Sequence, residues 1–302
     1  MTVEGAGDTR HGPARLDVEG VAVNFGGVTA LDGVDLVAEP GTIVGLIGPN
    51  GSGKTTLLNV ISGLVHPRQG AVRLDGDSLA GYLPEQRAGI GVVRSFQDCQ
   101  LFPDLTVEDV LLVALDAQRP VGVAATSLQM PWARRSERTK RSEVDDVCAA
   151  FGIGGFRLHR ISQLSTGTRR VVDLASIVLA RPRLLLLDEP TAGIAQREAE
   201  AFVPLITRLR DVTDSTIVLV EHDVPLVFAV CTQVVMMASG QVVSAGSPGE
   251  VAADPAAVAA YLGASEEALA VSGAVPAGRS VPAGHGRAEG DVPPQGDPVG
   301  DA

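Results

Sequence analysis

The sequence predicts an α/β fold built on a mostly parallel sheet, and three stretches carry that expectation. Thr42-Ile43-Val44-Gly45-Leu46-Ile47 is a near-continuous apolar run, the mark of a strand buried on both faces. Leu184 to Leu187 is four leucines in succession, and Thr216 to Val220 is apolar and rich in β-branched residues. Segments with helical spacing lie between them, and parallel strands joined by helices make an α/β core.

Taken in order, residues 1–14 read as a flexible leader. They are polar and hold no apolar core of a signal peptide. Arg15 to Phe25 alternates through Leu16, Val18, Val21 and Val23, as a half-buried strand does. Leu31 to Val37 alternates too, with Gly26-Gly27 and Asp32-Gly33 as turn signals. After the apolar run at 42–47 comes a glycine-rich turn. Thr55 to Leu64 then places Leu57, Leu58, Val60, Ile61 and Leu64 at helical spacing. Ala71 to Leu74 reads as a strand ended by Asp75-Gly76. Leu105 to Leu115 and Arg134 to Phe151 read as helices, separated by a stretch broken by Pro120, Gly122 and Pro131. Gly167 to Ala180 is helical, and Gln196 to Asp211 is amphipathic. Val234 to Ala238 and Gln241 to Ser244 flank Ser239-Gly240 as a hairpin. The expected architecture is an N-terminal antiparallel β subdomain, a mostly parallel core, and a helical subdomain inserted at about 100–165. One domain spans 15–263. Residues 264–302 form a tail in which Gly, Pro, Ala and acidic residues replace large apolar ones, a composition that favours disorder.

The chain has 302 residues, of which 45% are hydrophobic, enough for a sizeable core. Aromatic residues are only 3%, which disfavours a base-stacking surface. The formal charge is 24 − 36 = −12, so the overall field repels nucleic-acid backbones and no nucleic-acid partner is expected. Cys99, Cys148 and Cys231 are odd in number and far apart, against a disulfide framework or a zinc site. The most apolar stretch, Val224 to Ala238, is interrupted by Pro225, Thr232 and Gln233. It falls short of the roughly 20 residues that span a bilayer.

Gly48-Pro49-Asn50-Gly51-Ser52-Gly53-Lys54-Thr55 fits G-x-x-x-x-G-K-[ST]. The pattern follows a strand and opens a helix, the setting of a P-loop NTPase. Successive backbone N–H groups must turn inward on phosphate oxygens, and glycine permits the dihedrals this needs. The helix aims its positive end at the same place. Lys54 reaches the β- and γ-phosphates as a point charge, Thr55 offers a hydroxyl to Mg²⁺, and Thr56 follows in the same turn. A nucleoside triphosphate is therefore expected. Leu184 to Leu187 ends in Asp188 and Glu189. Alone, two acids after a strand are as often a helix cap. Beside the phosphate loop, Asp188 can hold the Mg²⁺ shell and Glu189 can orient or deprotonate an attacking water.

With these residues in place, the sequence resembles the ATP-binding subunits of ATP-binding cassette (ABC) transporters over about residues 15–263. The resemblance implies ATP as the nucleotide and its hydrolysis to ADP and phosphate. Arg94-Ser95-Phe96-Gln97 resembles the glutamine loop, which implies contact between Gln97 and Mg²⁺ or water, and sensing of the membrane partner. Leu164-Ser165-Thr166-Gly167-Thr168 resembles the signature motif, implying that Ser165 and Gly167 meet the γ-phosphate held by an opposing subunit. His222, in Val220-Glu221-His222-Asp223, matches the switch histidine, and Phe25 stands where the family stacks a ring on adenine. Taken singly, a glutamine is usually a solvated surface residue, a histidine is usually structural, and Phe25 fits a core position as well as a stacking one. Two departures are evident. Thr166 replaces a family glycine and Thr168 the glutamine, and Thr191-Ala192-Gly193-Ile194 lacks the usual aspartate after Glu189-Pro190.

Within the family, Phe25-Gly26-Gly27-Val28-Thr29-Ala30-Leu31, Ala192-Gly193 and Glu221-His222-Asp223 resemble branched-chain amino-acid uptake ATPases, as does the ending from Gly246-Ser247-Pro248 to Ala260-Tyr261-Leu262-Gly263. That resemblance implies integral-membrane permease subunits, a second ATPase subunit (a copy or a paralogue), an indirectly linked solute-binding protein, and a place on the cytoplasmic face of the membrane. The rival readings are a soluble ABC-type ATPase and an ATP-dependent regulatory switch outside transport. The basic group Arg134, Arg135, Arg138, Lys140 and Arg141 reads as a solvated helix face, or else as a contact for anionic lipid.

Overall fold

The computed structural model describes residues 12–95, 101–118, 131–194 and 202–262; for 117–118 and 131–137 it describes the backbone only. All of these belong to the compact unit Met1–Ala264. The leader up to residue 11, the glutamine-loop residue Gln97, Cys99, the stretch 119–130 and the tail from residue 263 lie outside the described residues.

The strands are β1 (Leu16–Phe25), β2 (Val28–Ala38), β3 (Ile43–Ile47), β4 (Gln69–Leu74), β5 (Asp77–Ser78), β6 (Val92–Arg94), β7 (Leu184–Asp188), β8 (Thr216–Val220), β9 (Gln233–Ala238) and β10 (Gln241–Gly246). They make two sheets. One is antiparallel, in the order β2-β1-β4-β5; the other runs β10-β9-β3-β8-β7-β6. In the second, β9, β3, β8, β7 and β6 are parallel, and only the β9–β10 hairpin is antiparallel.

The apolar runs become strands because both faces of that sheet are covered. Every residue of β3, β7 and β8 is buried. Their side chains alternate between two cores. Ile43, Leu185, Leu187, Ile217 and Leu219 face one layer of helices. Val44, Leu46, Leu184, Leu186, Val218 and Val220 face helix α1 (Lys54–Ser62) and the antiparallel sheet. Burial on both faces explains why polar residues stand only at the ends of these strands, at Thr216 and Asp188.

The remaining helices are α2 (Pro84–Gly89), α3 (Val107–Gln118), α4 (Pro131–Ala150), α5 (Thr166–Leu179), α6 (Phe202–Thr213), α7 (Val224–Val230) and α8 (Pro248–Ala253). Residues 255–262 are helical as well. Helices α3, α4 and α5 pack on one another through Val107, Leu111, Leu115, Val144, Val147 and Val172.

Two expectations are corrected. Asp32-Gly33 is no turn; it lies inside β2, where the pairing with β1 shifts register and Gly33 takes φ +67. A bulge needs a residue tolerant of positive φ just as a turn does, so the local signal is the same. The run 224–238 is interrupted as its sequence implies: Asp223 caps a short helix with its side chain on the Leu226 N–H at 3.1 Å, Pro225 lies in that first turn, and β9 follows. Finally, Lys140 is buried and paired with Asp116, whereas Arg138 and Arg141 are exposed, so the basic residues do not share one solvated face. A lysine stem that crosses the α3–α4 contact to reach a carboxylate looks, in one dimension, like any other surface cation.

Candidate functional site

The parallel strands place their carboxyl ends at one edge of the sheet, where α/β proteins bind ligands. The loop after β3, the acids ending β7 and the histidine after β8 all meet that edge. Loop 48–53 depends on two glycines. Gly48 has φ +146, and a Cβ there would lie 2.1 Å from the Met237 carbonyl oxygen. Gly53 has φ +103, and a Cβ there would lie 2.7 Å from both the Ala30 carbonyl oxygen and Leu31 Cδ2. Backbone from β2 and β9 thus closes on the loop from behind. Ser52 is buried inside it, with its N–H on the Pro49 carbonyl at 3.2 Å.

Helix α1 begins at Lys54 with no capping side chain and no acid in its first turn. Its leading N–H groups, those of Lys54, Thr55 and Thr56, therefore retain the partial positive charge that favours an anion. Lys54 is buried, and its ammonium donates to the carbonyls of Gly48 at 2.7 Å and Pro49 at 2.8 Å. Burial pulls its pKa below the ordinary lysine value, while the charges of Glu189 and Asp188 act the other way. The lysine and both carboxylates, nearly 135 residues apart in sequence, thus share one electrostatic site. Arg87, which the sequence did not single out, closes the far end of α1 by donating to the carbonyls of Val60 at 2.8 Å and Ile61 at 2.7 Å.

Asp188 ends β7 with its side chain buried against Arg94, at 2.8 Å. Arg94 also donates to Asn59 on α1 and to Ser62 at 3.3 Å. One guanidinium therefore ties the phosphate-loop helix, β6 and the acid of β7. Glu189 follows in the left-handed region at φ +48, a conformation that costs a non-glycine residue about 1–3 kcal/mol. Its N–H is held by the Val220 carbonyl at 2.9 Å. The turn carries the carboxylate towards His222, whose Nε2 lies 2.7 Å from Glu189 Oε1. His222 is the more exposed of the two.

Phe25 is 52% exposed at the end of β1, beside exposed Val28, so the core alternative for Phe25 is set aside. Ser165 is the N-cap of α5. Its Oγ accepts from the Thr168 N–H at 3.2 Å and lies 2.9 Å from Thr168 Oγ1. Gly167 sits in the same first turn. These hydrogen bonds stay within α5 and do not reach loop 48–53. The structure therefore brings Lys54, Asp188, Glu189 and His222 together, while Ser165 and Gly167 belong to the helical part of the fold. Gln97 lies outside the described residues.

In the sequence, Arg94, Thr191 and Glu221 stand only as neighbours of motif residues, with no role of their own, and Asn59 is not marked at all. Arg94 and Glu221 adjoin motif residues, but nothing in a linear charge pattern separates a buried ion from a solvated one. Among the described residues there is no cluster of three or more His, Cys, Asp or Glu side chains able to hold a metal ion. Thr55, in the first turn of α1, offers a hydroxyl, and Asp188, whose charge acts on Lys54, offers a carboxylate. Oxygen donors of this type, completed by phosphate and water, suit Mg²⁺.

The profile of the ABC transporter family matches residues 31–192. The chain is 35% identical over 248 residues to the high-affinity branched-chain amino acid transport ATP-binding protein BraF of Pseudomonas aeruginosa, covering 82% of this chain and 97% of BraF. It is equally similar, at 35% over 248 residues with the same coverage, to LivG of Escherichia coli, which carries the same description. Among solved structures, the ADP conformation of an ATP-binding cassette of an ABC transporter superposes with a TM-score of 0.70 at 25% identity, covering 83% of this chain and 99% of that one.

Proposed function

The chain belongs to the ABC transporter family of ATP-binding proteins, and from that premise we propose that it energises the uptake of branched-chain or related amino acids. It is an ATP-hydrolysing subunit that works with membrane permease components. The names of BraF and LivG support the solute class. No described helix is long and apolar enough to cross a membrane, in keeping with a peripheral subunit. The finer place we assign is the cytoplasmic face of that membrane. The finer partners are a second ATPase subunit and a solute-binding protein, with no nucleic acid. We assign 15–263 to the ATP-binding domain and about 100–165 to its helical insertion.

One observation carries the reading: the Lys54 ammonium, the Asp188 carboxylate and the Glu189–His222 pair converge at the carboxyl edge of one parallel sheet. In the proposed mechanism loop 48–56, through those of its backbone N–H groups that are not already paired, and the Lys54 ammonium hold the ATP phosphates, and Phe25 covers the adenine. Thr55, Asp188 and Gln97 would hold Mg²⁺, which when bound offsets phosphate charge. Glu189 orients the attacking water and accepts its proton, and His222 holds the Glu189 carboxylate while reaching the γ-phosphate. Ser165 and Gly167 of an opposing subunit complete the phosphate's surroundings, so that ATP joins two subunits and hydrolysis to ADP and phosphate releases them. Phe102, Phe156 and Leu158 are exposed on the helical part, to which we assign the permease contact.

Glu189→Gln tests this directly. The variant should bind ATP, accumulate as a closed dimer on size exclusion, and lose turnover. Hydrolysis at the parent rate removes Glu189 from the mechanism. A parent chain with no affinity for Mg·ATP removes the whole reading.

A further inference from the structure

Glu221 is a buried carboxylate for which the mechanism above has no use. It is 3% exposed, and among the described residues no lysine or arginine pairs with it. Such burial is costly unless donors satisfy the charge. Three do. Glu221 Oε1 accepts from the Thr191 N–H at 2.8 Å and from the Thr191 hydroxyl at 2.6 Å. Glu221 Oε2 accepts from the His222 N–H at 3.1 Å. Both oxygens are therefore spoken for, each by a different segment.

Those segments carry the reacting pair. Thr191 stands two residues after Glu189, in a turn closed by the Ala192 N–H on the Glu189 carbonyl at 3.0 Å. The Glu189 backbone is held in its left-handed conformation, and a strained residue keeps its place only where its surroundings over-determine it. The Glu189 N–H bond to the Val220 carbonyl is one rung between the two segments. The Glu221 carboxylate, bridging Thr191 to His222, is the second. Only an acceptor-only side chain can take all three donors, since a glutamine would turn its NH₂ on one of them.

We propose that Glu221 is a positioning residue: it locks the Glu189 turn in register with His222 and so sets the 2.7 Å contact on which water orientation depends. The inference rests on the ATPase reading of Glu189 and His222. Both Glu221 oxygens are engaged by protein donors, so its loss acts on the chemical step rather than on binding. A displacement of about 1 Å in a catalytic group lowers turnover by up to about a hundredfold.

The test is steady-state ATP hydrolysis by the purified full-length chain, its Glu221→Gln variant and its Thr191→Val variant, with thermal melts of each. Glu221→Gln should lower kcat at least tenfold, leave KM within about threefold, and melt as one cooperative transition. Thr191→Val keeps the N–H bond and loses only the hydroxyl, so its kcat should fall by a smaller factor, about threefold, again at constant KM. Parent-level kcat in Glu221→Gln overturns the proposal, as does a rise in KM that accounts for the whole loss. If Glu221→Gln does not fold, Thr191→Val decides: an unchanged kcat overturns the proposal. A parent chain without turnover in the same assay would instead refute the ATPase reading.

Discussion

Replacing Arg94 by methionine should destabilise the nucleotide-free protein far more than the loss of one ion pair on a surface. The pair it makes with Asp188 has a 2.8 Å contact, with side chains only 8% and 6% exposed. An exposed pair is worth about 0–1 kcal/mol, because water and mobile side chains compensate its loss. A buried pair behaves differently. Removing one partner leaves the other as an uncompensated charge, and the cost is about 3–5 kcal/mol. Arg94→Met also frees Asn59 and Ser62 on α1 from a guanidinium donor, so the figure belongs in the upper part of that range. With a urea slope of about 3 kcal/mol/M, the unfolding midpoint should drop by about 1 M or more. The measurement is made without nucleotide or magnesium, since a ligand that favours the folded state would mask the change. Pairing Arg94→Met with Asp188→Leu removes both charges and should recover part of the loss, giving a coupling energy of opposite sign to the single change. A loss below about 1 kcal/mol in Arg94→Met would refute the reasoning, because the pair would then behave as solvated.

Two further outcomes follow from geometry and charge. Gly53→Ala must relieve a Cβ placed 2.7 Å from the Ala30 carbonyl while holding φ +103, so ATP affinity, read by fluorescent-nucleotide titration, should fall at least tenfold; parent affinity would show that the loop yields freely. Glu108 lies against Arg157, whose guanidinium hydrogen bond holds the Glu108 carboxyl below its ordinary value of 4.5. A depressed carboxylate stabilises the fold above the unfolded pKa and loses that contribution as pH falls through the folded one. Glu108→Gln should therefore cost about 0.5–1 kcal/mol at pH 7 and progressively less towards pH 3 in parallel urea titrations. A difference independent of pH would refute the ion-pair account.

Much of the molecule could be read in one dimension because its signals are local. A strand buried on both faces must be apolar along its interior, and 43–47, 184–187 and 217–220 declare themselves. A loop that wraps phosphates must relax its dihedrals and open a helix, and the spacing of Gly48, Gly53 and Lys54 does so within eight residues. The short pieces β5, β6 and α2 escaped notice, since two to six residues carry too few periods to stand above their neighbours.

The other part lies in relations between distant residues. Lys54 and Asp188 can be named from their motifs, yet their common electrostatic site follows from β3 and β7, parallel strands separated only by β8, ending at one edge. Lys140 and Arg94 carry the same formal charge as exposed Arg138, and burial alone, set by what packs over them, makes them structural ions. Glu221 is one acid among many until folding brings Thr191 and the His222 N–H to its two oxygens. Dihedral freedom, periodicity and apolarity are properties of a residue and its near neighbours, so composition and order suffice to reveal them. Desolvation and hydrogen-bond partnership depend on which strands lie side by side, and those appear only when the chain has closed on itself.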